Sequence, residues 1–217
     1  MSDIFQEVDE AVRREQLQKL WKRYGNLVIA AAVVAVLAVG AWRGYQWWEA
    51  KRAAQAGAAF DAASELAEQG KSAEAEAAFA RLASEGTATY RVLARLREAA
   101  ALGDRDPKAA VALYDAIAGD STVPRVFQEL AGIRAGLLLV DSAPLSEVTR
   151  RLEPLAQPDG TFRHSAREIL AMAAFKAGDK VAEKKWFDMI AGDADTPQSL
   201  RGRIDVLMTL SGDTGKG

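Results

Sequence analysis

Few side chains in this 217-residue chain have types and spacing suited to catalysis. There is no cysteine, and the one histidine, His164, is followed directly by Ser165. Adjacent residues on a helix point in different directions, so this pair does not supply a nucleophile and its base. The Gly-x-Ser-x-Gly, phosphate-loop and His-Glu-x-x-His motifs are also absent from the sequence. We therefore expect no catalytic residue, no metal ligand and no cofactor.

Aspartates in short turn sequences are the other candidates for ligand chemistry. They occur in "LGDRDP", "GDSTVP" and "GDADTP", as Asp106, Asp120, Asp193 and Asp195. An aspartate can accept a hydrogen bond from the free backbone N–H groups at the start of a helix. Proline suits the first helical turn because its missing N–H would be unpaired there. We interpret these carboxylates as helix caps rather than as metal ligands.

The overall charge argues against a polyanionic partner. The formal net charge is -2, and 49% of the residues are hydrophobic. Affinity for nucleic acid depends mostly on clustered lysine and arginine side chains that neutralise phosphates. Nucleic acid is therefore not expected among the partners, and the chain is long enough to bury a core of its own.

An apolar run near the N-terminus, residues 24–42, determines the expected location. No residue of this run is charged. At 1.5 Å per residue a helix over 24–42 measures about 28 Å, close to the thickness of a bilayer's hydrocarbon core. A cleaved signal peptide would have a shorter lead and a small-residue exit, and a soluble core helix would have a polar face. We predict a permanent transmembrane helix over 24–42.

The flanks of this run predict its orientation. Aromatic residues that favour the headgroup level mark its edges: Tyr24, Trp42, Tyr45, Trp47 and Trp48. Five basic residues precede the run, and these are Arg13, Arg14, Lys19, Lys22 and Arg23. Only Arg43, Lys51 and Arg52 follow it within a similar distance. Because basic flanks stay in the cytoplasm, we expect a single-pass inner-membrane protein of a Gram-negative cell, with its C-terminal domain in the periplasm.

Residues 1–23 form the cytoplasmic segment in this prediction. Ile4, Val8 and Val12 recur at every fourth position, which is typical of an amphipathic helix. We favour an interfacial helix that orients the anchor, and a partner-binding helix is the alternative.

The sequence after the run predicts an all-α domain. We expect a juxtamembrane helical connector over 43–58, a tetratricopeptide-like domain over 59–211 and a flexible tail over 212–217. The segments "LYDAIAGDSTVP" at 113–124 and "WFDMIAGDADTP" at 186–197 match each other in sequence. Their separation along the chain is close to two units of about 34 residues, the length of a two-helix repeat. The predicted fold is a single transmembrane helix followed by an α-solenoid of about four helix hairpins.

One repeat departs from this period. In the segment 137–165 the spacing is longer, and Pro154 interrupts the expected second helix. An insertion in a surface turn and a shaped binding edge are both compatible with these residues.

An α-solenoid presents an extended groove that binds peptides or helices. We therefore expect protein recognition rather than catalysis. Arg91, Arg95, Gln128 and Arg134 are polar positions on the first helices of their hairpins. Since arginine on a helix surface is most often simply solvated, the residues of the protein-binding groove stay unassigned.

This organisation resembles the YfgM-type family. The features that carry the resemblance are the cytoplasmic lead, the single span, the exit "GAWRGYQWWEAKRAAQAGAAFDAA" at 40–63 and four degenerate repeats. Members of that family are ancillary subunits of the SecYEG translocon. The resemblance implies association with SecYEG and with a membrane-anchored periplasmic chaperone. It also implies a role in passing exported polypeptides to periplasmic chaperones, and it brings no catalytic residue.

A second hypothesis is an envelope scaffolding protein that organises a division or outer-membrane assembly complex. Gly40 and Gly44 in and beside the apolar run also permit self-association, although small residues at this spacing are common in alanine-rich spans. The two hypotheses differ in the proteins that should copurify with the chain from mild detergent.

Overall fold

A computed structural model describes the backbone over residues 3–212. Within the first helix, the side chains of residues 3–13, 15–17 and 19–20 lie outside the described part. The apolar series of the predicted amphipathic segment and the basic residues Arg13 and Lys19 fall in these ranges. Residues 1–2 and 213–217 also lie outside it, and with them all of the predicted tail except Gly212.

Every regular element in residues 3–212 is a helix, which confirms the predicted all-α class. The elements are α1 Asp3–Glu68, α2 Ser72–Glu85, α3 Ala88–Gly103, α4 Pro107–Ala118, α5 Arg125–Leu139, α6 Leu145–Leu152, a short 3-10 helix Glu153–Ala156, α7 Arg163–Ala177, α8 Lys180–Ala191 and α9 Gln198–Ser211.

Helix α1 belongs to two compact units, which divide between Ala54 and Gln55. It is continuous through the predicted segments 24–42 and 43–58. The stretch Trp21–Glu68 contains a window that is long and apolar enough to cross a membrane, and 6% of this window is buried. A core helix of a soluble protein would be mostly buried, whereas an anchor and a signal sequence both fit this finding.

The second unit begins with a hairpin between the C-terminal part of α1 and α2. The Phe60 and Phe79 rings lie 5.6 Å apart, and the Phe60 and Tyr90 rings 6.0 Å apart. Ala63 and Ala75 are fully buried in the same cluster. Their small side chains let the two helices approach closely enough for these rings to fill the remaining space.

Three further hairpins follow: α3 with α4, α5 with α6, and α7 with α8. The large side chains that fill the gaps between helices belong to the second helices, such as Tyr114 in α4 and Trp186 and Phe187 in α8. The first helices contribute alanines that are fully buried, including Ala94, Ala131 and Ala174. Four hairpins therefore stack as the sequence period predicts.

Helix α9 packs on the last hairpin through Leu200 and Ile204. The Nζ of Lys180, at the start of α8, donates to the backbone carbonyl of Ser211 at 3.1 Å and to its hydroxyl at 2.7 Å. Lys180 also pairs with Glu183 at 3.1 Å. These bonds hold the end of α9 against the start of α8.

The turn predictions are partly right. Asp106 caps α4 by accepting from the Ala109 N–H at 3.0 Å, and Pro107 is the first residue of that helix. Gly178 ends α7 with φ +70°. Gly103, the glycine of "LGDRDP", is instead the buried last residue of α3 and does not have a positive φ.

The irregular third hairpin has a short second helix and a close crossing between α5 and α6. Helix α6 ends at Leu152, and Pro154 lies in the 3-10 helix that follows. A Cβ built on Gly136 of α5 would lie 2.7 Å from the Cδ atoms of Leu152, which is fully buried. The crossing of α5 and α6 therefore requires glycine at position 136.

Replacing Gly136 with alanine should lower the free energy of unfolding by about 1–3 kcal/mol, since the methyl group overpacks this crossing. Gly202→Ala is the matched control, because a Cβ at Gly202 of α9 meets nothing within 4 Å. Alanine there should stabilise the helix by up to about 1 kcal/mol. Urea unfolding monitored by hydrogen exchange measures the free energy of unfolding of both variants. Equal effects of the two substitutions would contradict the close contact between position 136 and Leu152.

Candidate protein-interaction surface

The turn between α4 and α5 is organised around Asp120. Its Oδ1 accepts hydrogen bonds from the Thr122 N–H at 3.0 Å and from the Thr122 hydroxyl at 2.7 Å. Its Oδ2 accepts from Arg95 Nη1 at 2.7 Å. The bonds from Thr122 and then that from Arg95 lower the pKa of Asp120 to about 2. The carboxylate is therefore ionised at neutral pH.

Two of the polar residues noted in the sequence have structural roles at this turn. Besides pairing with Asp120, Arg95 donates from Nη2 to the Ala116 carbonyl at 3.2 Å. Gln128 Nε2 donates to the carbonyls of Asp120 and Val123, at 2.9 and 2.8 Å. Both side chains are thus occupied in fixing the end of the second hairpin.

The same arrangement recurs at the turn between α8 and α9, in the second of the two matching sequence segments. Asp193 Oδ1 accepts from the Asp195 N–H at 3.0 Å, as Asp120 does from Thr122. Arg201 takes the place of Gln128 and donates to the carbonyls of Asp193 and Thr196, at 2.7 and 3.2 Å. The two turns are therefore structural copies of each other.

Two arginines of α7 pair with the second copy. Arg167, which is 3% exposed, donates from Nη1 to Asp193 Oδ2 at 2.7 Å and from Nε to the Ala156 carbonyl at 2.9 Å. Arg163 Nε donates to the same Asp193 oxygen at 2.8 Å, and its Nη2 donates to Asp195 Oδ2 at 3.0 Å. The hydrogen bond from Arg163 is the largest of the effects that hold the pKa of Asp193 well below its usual range.

The cap interpretation is therefore right for Asp106 and wrong for Asp120, Asp193 and Asp195. Pro124 and Pro197 stand just before α5 and α9 and not within their first turns. The carboxylates face arginines from the first helix of the hairpin instead of free N–H groups of the next helix. Among the residues that the structure describes, no group of three or more His, Asp or Glu side chains is arranged to hold a metal ion.

His164 lies beside this second turn. Its Nδ1 is 3.4 Å from the Thr196 hydroxyl and 3.9 Å from Asp193 Oδ2. A catalytic triad needs the nucleophile at one ring nitrogen and the carboxylate at the other, whereas here both face Nδ1. The Thr196 hydroxyl also donates to the Ile190 carbonyl at 2.8 Å. Burial, aided by Arg163, lowers the pKa of His164, so the ring is neutral at physiological pH and packs as part of the turn.

A cleft lies next to the first copy of the turn. Its volume is about 480 Å³, and its walls come from the end of α2, the N-terminal half of α3 and the turn around Asp120. Arg91, Arg95, Asp120 and Thr122 supply its polar surface. A volume of this size lies in the range of ligand pockets, roughly 300–1,000 Å³. This cleft is the candidate interaction site of the repeat domain.

Arg91 and Arg134, the other two polar residues noted in the sequence, are exposed. Of the four, the cleft brings together Arg91 and Arg95. Sequence reasoning did not identify the cleft. We call the matching turns 119–124 and 192–197 the two copies of the Gly-Asp turn. The signal that could have pointed to the cleft is that each copy is preceded by a pair of arginines one helical turn apart, Arg91 and Arg95 in one case and Arg163 and Arg167 in the other.

The aromatic residues assigned to the membrane edges are exposed side chains of α1: Tyr24, Trp42, Tyr45, Trp47 and Trp48. Beyond the apolar run, Lys51 Nζ lies 5.3 Å from the centre of the Trp47 ring, and Arg52 Cζ lies 4.8 Å from that of Trp48. Each pair is one helical turn apart, so the cation stands over the ring face. An aromatic ring paired with a cation suits the boundary between hydrocarbon and headgroups.

A family model described as a tetratricopeptide repeat-like domain matches residues 18–188. The match includes the apolar run as well as all of α2–α7 and most of α8. No curated protein and no solved structure gives a significant match.

Proposed function

The chain belongs to the tetratricopeptide repeat-like domain family, and from this premise we propose that it is a membrane-anchored periplasmic adaptor for other proteins. Domains of this family are protein-interaction modules. Stacked hairpins such as those of α2–α8 expose an extended surface, and each hairpin contacts only its neighbours. The class of partner is therefore protein.

The observation that carries the proposal is that α1 joins an exposed apolar run directly to the first hairpin. The run 24–42 has the length of a span, and residues 55–68 of the same helix pack against α2. Aromatic residues stand at both of its edges and are exposed. In this proposal the run is a permanent anchor, and the greater number of basic residues before it keeps the N-terminus in the cytoplasm.

The proposed site of action is the exit of the SecYEG translocon. A tethered domain meets other membrane proteins at a raised effective concentration, so moderate contacts are sufficient for association. The resemblance to the YfgM-type family, on residues 40–63 and the four repeats, supports this location. The adaptor would help pass exported polypeptides to periplasmic chaperones, including a membrane-anchored one.

An envelope scaffold for a division or outer-membrane assembly complex is the alternative. It uses the same repeats and anchor, and it is favoured by the open space around Gly40 and Gly44, where an added Cβ would meet nothing within 4 Å. Close packing of two copies of α1 through this face would serve an oligomeric scaffold.

Copurification of the full chain from membranes in mild detergent distinguishes the two. The proposal expects SecY and a periplasmic chaperone to be recovered with the chain, as measured by quantitative mass spectrometry. An unrelated single-span protein of similar abundance is the control for non-specific recovery. Recovery of a division or outer-membrane assembly complex without SecY would contradict the translocon role and support the scaffold.

A further inference from the structure

The two copies of the Gly-Asp turn differ in the ion pairs made by one arginine of the helix beside them. In the fourth hairpin, Arg163 pairs with Asp193 and also with Asp195, at 2.8 and 3.0 Å. The Asp195 side chain is 82% exposed, so the second pair lies at the surface. Arg163 thus pairs with a carboxylate that does not belong to its own helix, that of Asp195 in the turn before α9.

Arg91 is the counterpart of Arg163 in the second hairpin. Arg95 and Arg167 each donate a hydrogen bond to the aspartate of the turn beside them, Asp120 and Asp193. Arg91 and Arg163 lie one helical turn before these two arginines. The counterpart of Asp195, however, is Thr122. Threonine reproduces the backbone bond to the turn aspartate at 3.0 Å but carries no charge. Within the described part of the chain, Arg91 makes no ion pair.

The other charges of the cleft leave Arg91 as its available cation. Arg95 is paired with Asp120 at 2.7 Å, and the oxygens of Asp120 are bonded to Thr122 and Arg95. Because both oxygens of Asp120 already have partners, Asp120 does not compete with an anion from outside the chain for Arg91. Arginine suits this role because its planar guanidinium binds a carboxylate through two parallel hydrogen bonds.

The remaining walls of the cleft indicate what carries the carboxylate. Ala83, Ala88, Val92 and Val123 are apolar, and the volume of about 480 Å³ exceeds that of one carboxylate. We infer that this cleft binds an aspartate or glutamate side chain of a partner polypeptide, flanked by small apolar residues, with Arg91 taking the carboxylate that Asp195 supplies to Arg163. The inference rests on the proposed adaptor function and specifies the partner chemistry of its site.

A blocked peptide of alanine and valine around one central aspartate tests this, with the full chain in detergent micelles and fluorescence anisotropy as the readout. Acetylation and amidation remove the terminal charges, so the side-chain carboxylate is its only anion. We expect the same peptide with asparagine at the centre to bind about tenfold more weakly, and empty micelles to give the background. Equal binding of the two peptides, or none of either, would overturn the inference.

Substitutions in the cleft make the test specific. Arg91→Gln should lower the affinity for the aspartate peptide about tenfold. Arg97 is an exposed arginine of the same helix, and Arg97→Gln should leave the affinity unchanged. Thr122→Asp should supply the missing carboxylate within the chain and prevent binding of the aspartate peptide. Asparagine has the shape of aspartate without its charge, so the Thr122→Asn variant should bind the peptide as the parent chain does. Identical results for the aspartate and asparagine variants at 122 would refute the assignment.

Competition with sodium acetate and with inorganic phosphate separates a polypeptide site from a small-anion site. We expect neither salt to displace the peptide at concentrations matched for ionic strength with sodium chloride. Specific displacement by either salt would show a small-anion site and contradict the inference. If the peptide fails to bind while SecY still copurifies with the chain, the carboxylate site is refuted and the adaptor function stands.

Discussion

Replacing Trp186 with alanine is expected to cost the repeat domain about 3–5 kcal/mol of unfolding free energy. Trp186 is 2% exposed and is the largest of the fully buried side chains in the described part of the chain. It lies in α8 and belongs to the core cluster that joins the third hairpin, the fourth hairpin and α9, so alanine leaves a cavity in that cluster. Both the lost transfer free energy and the unfilled space contribute to this cost.

Hydrogen exchange of the full chain in detergent measures the effect helix by helix. Protection of α7 and α8 should fall by about two to four orders of magnitude, because each 1.4 kcal/mol is a factor of about ten. Since hairpins of a solenoid contact only their neighbours, α2 should lose much less. Trp47→Ala is the control of the same residue type, because Trp47 is 66% exposed in α1. Unchanged protection of α8 in the Trp186 variant would contradict the packing described for the fourth hairpin.

Removing the basic residues ahead of the apolar run is expected to reverse the chain in the membrane. The substitutions Arg13→Gln, Arg14→Gln, Lys19→Gln, Lys22→Gln and Arg23→Gln leave Arg43, Lys51 and Arg52 as the basic flank. Because the flank richer in lysine and arginine stays in the cytoplasm, the repeat domain should then remain inside. If the apolar run were a cleaved signal sequence, processing of the parent chain would instead release a chain that lacks the run.

The absence of cysteine makes this topology easy to read. Val181→Cys places one thiol at an exposed position of α8, and a membrane-impermeant maleimide applied to spheroplasts labels it only if the domain is periplasmic. The parent chain should be labelled before lysis and the five-fold variant only after it. Neutralising Arg43, Lys51 and Arg52 is the matched control and should keep the parent topology. Labelling of the five-fold variant in intact spheroplasts would exclude charge-directed orientation.

Much of the architecture was predictable because helices follow from local sequence patterns. The recurrence of the turn sequence predicted a domain of about four helix hairpins, and Pro154 predicted the interruption after the short α6. The turn chemistry was predictable only where the partner is local. Asp106 caps the helix that begins at the next residue, whereas the arginine partners of Asp120 and Asp193 belong to helices that lie far earlier in the sequence.

By itself, then, the sequence determined the helices, the apolar run with its charge asymmetry and the number of hairpins, because hydrophobicity, charge and turn residues act over a few positions. The tertiary structure decided which charges meet. Arg91 and Arg163 occupy the same place in the repeat, but only Arg163 is paired, because the turn packed beside it presents Asp195 where the other turn presents Thr122. A difference of one side chain across a helix–turn contact thus separates a filled ion pair from an open cleft.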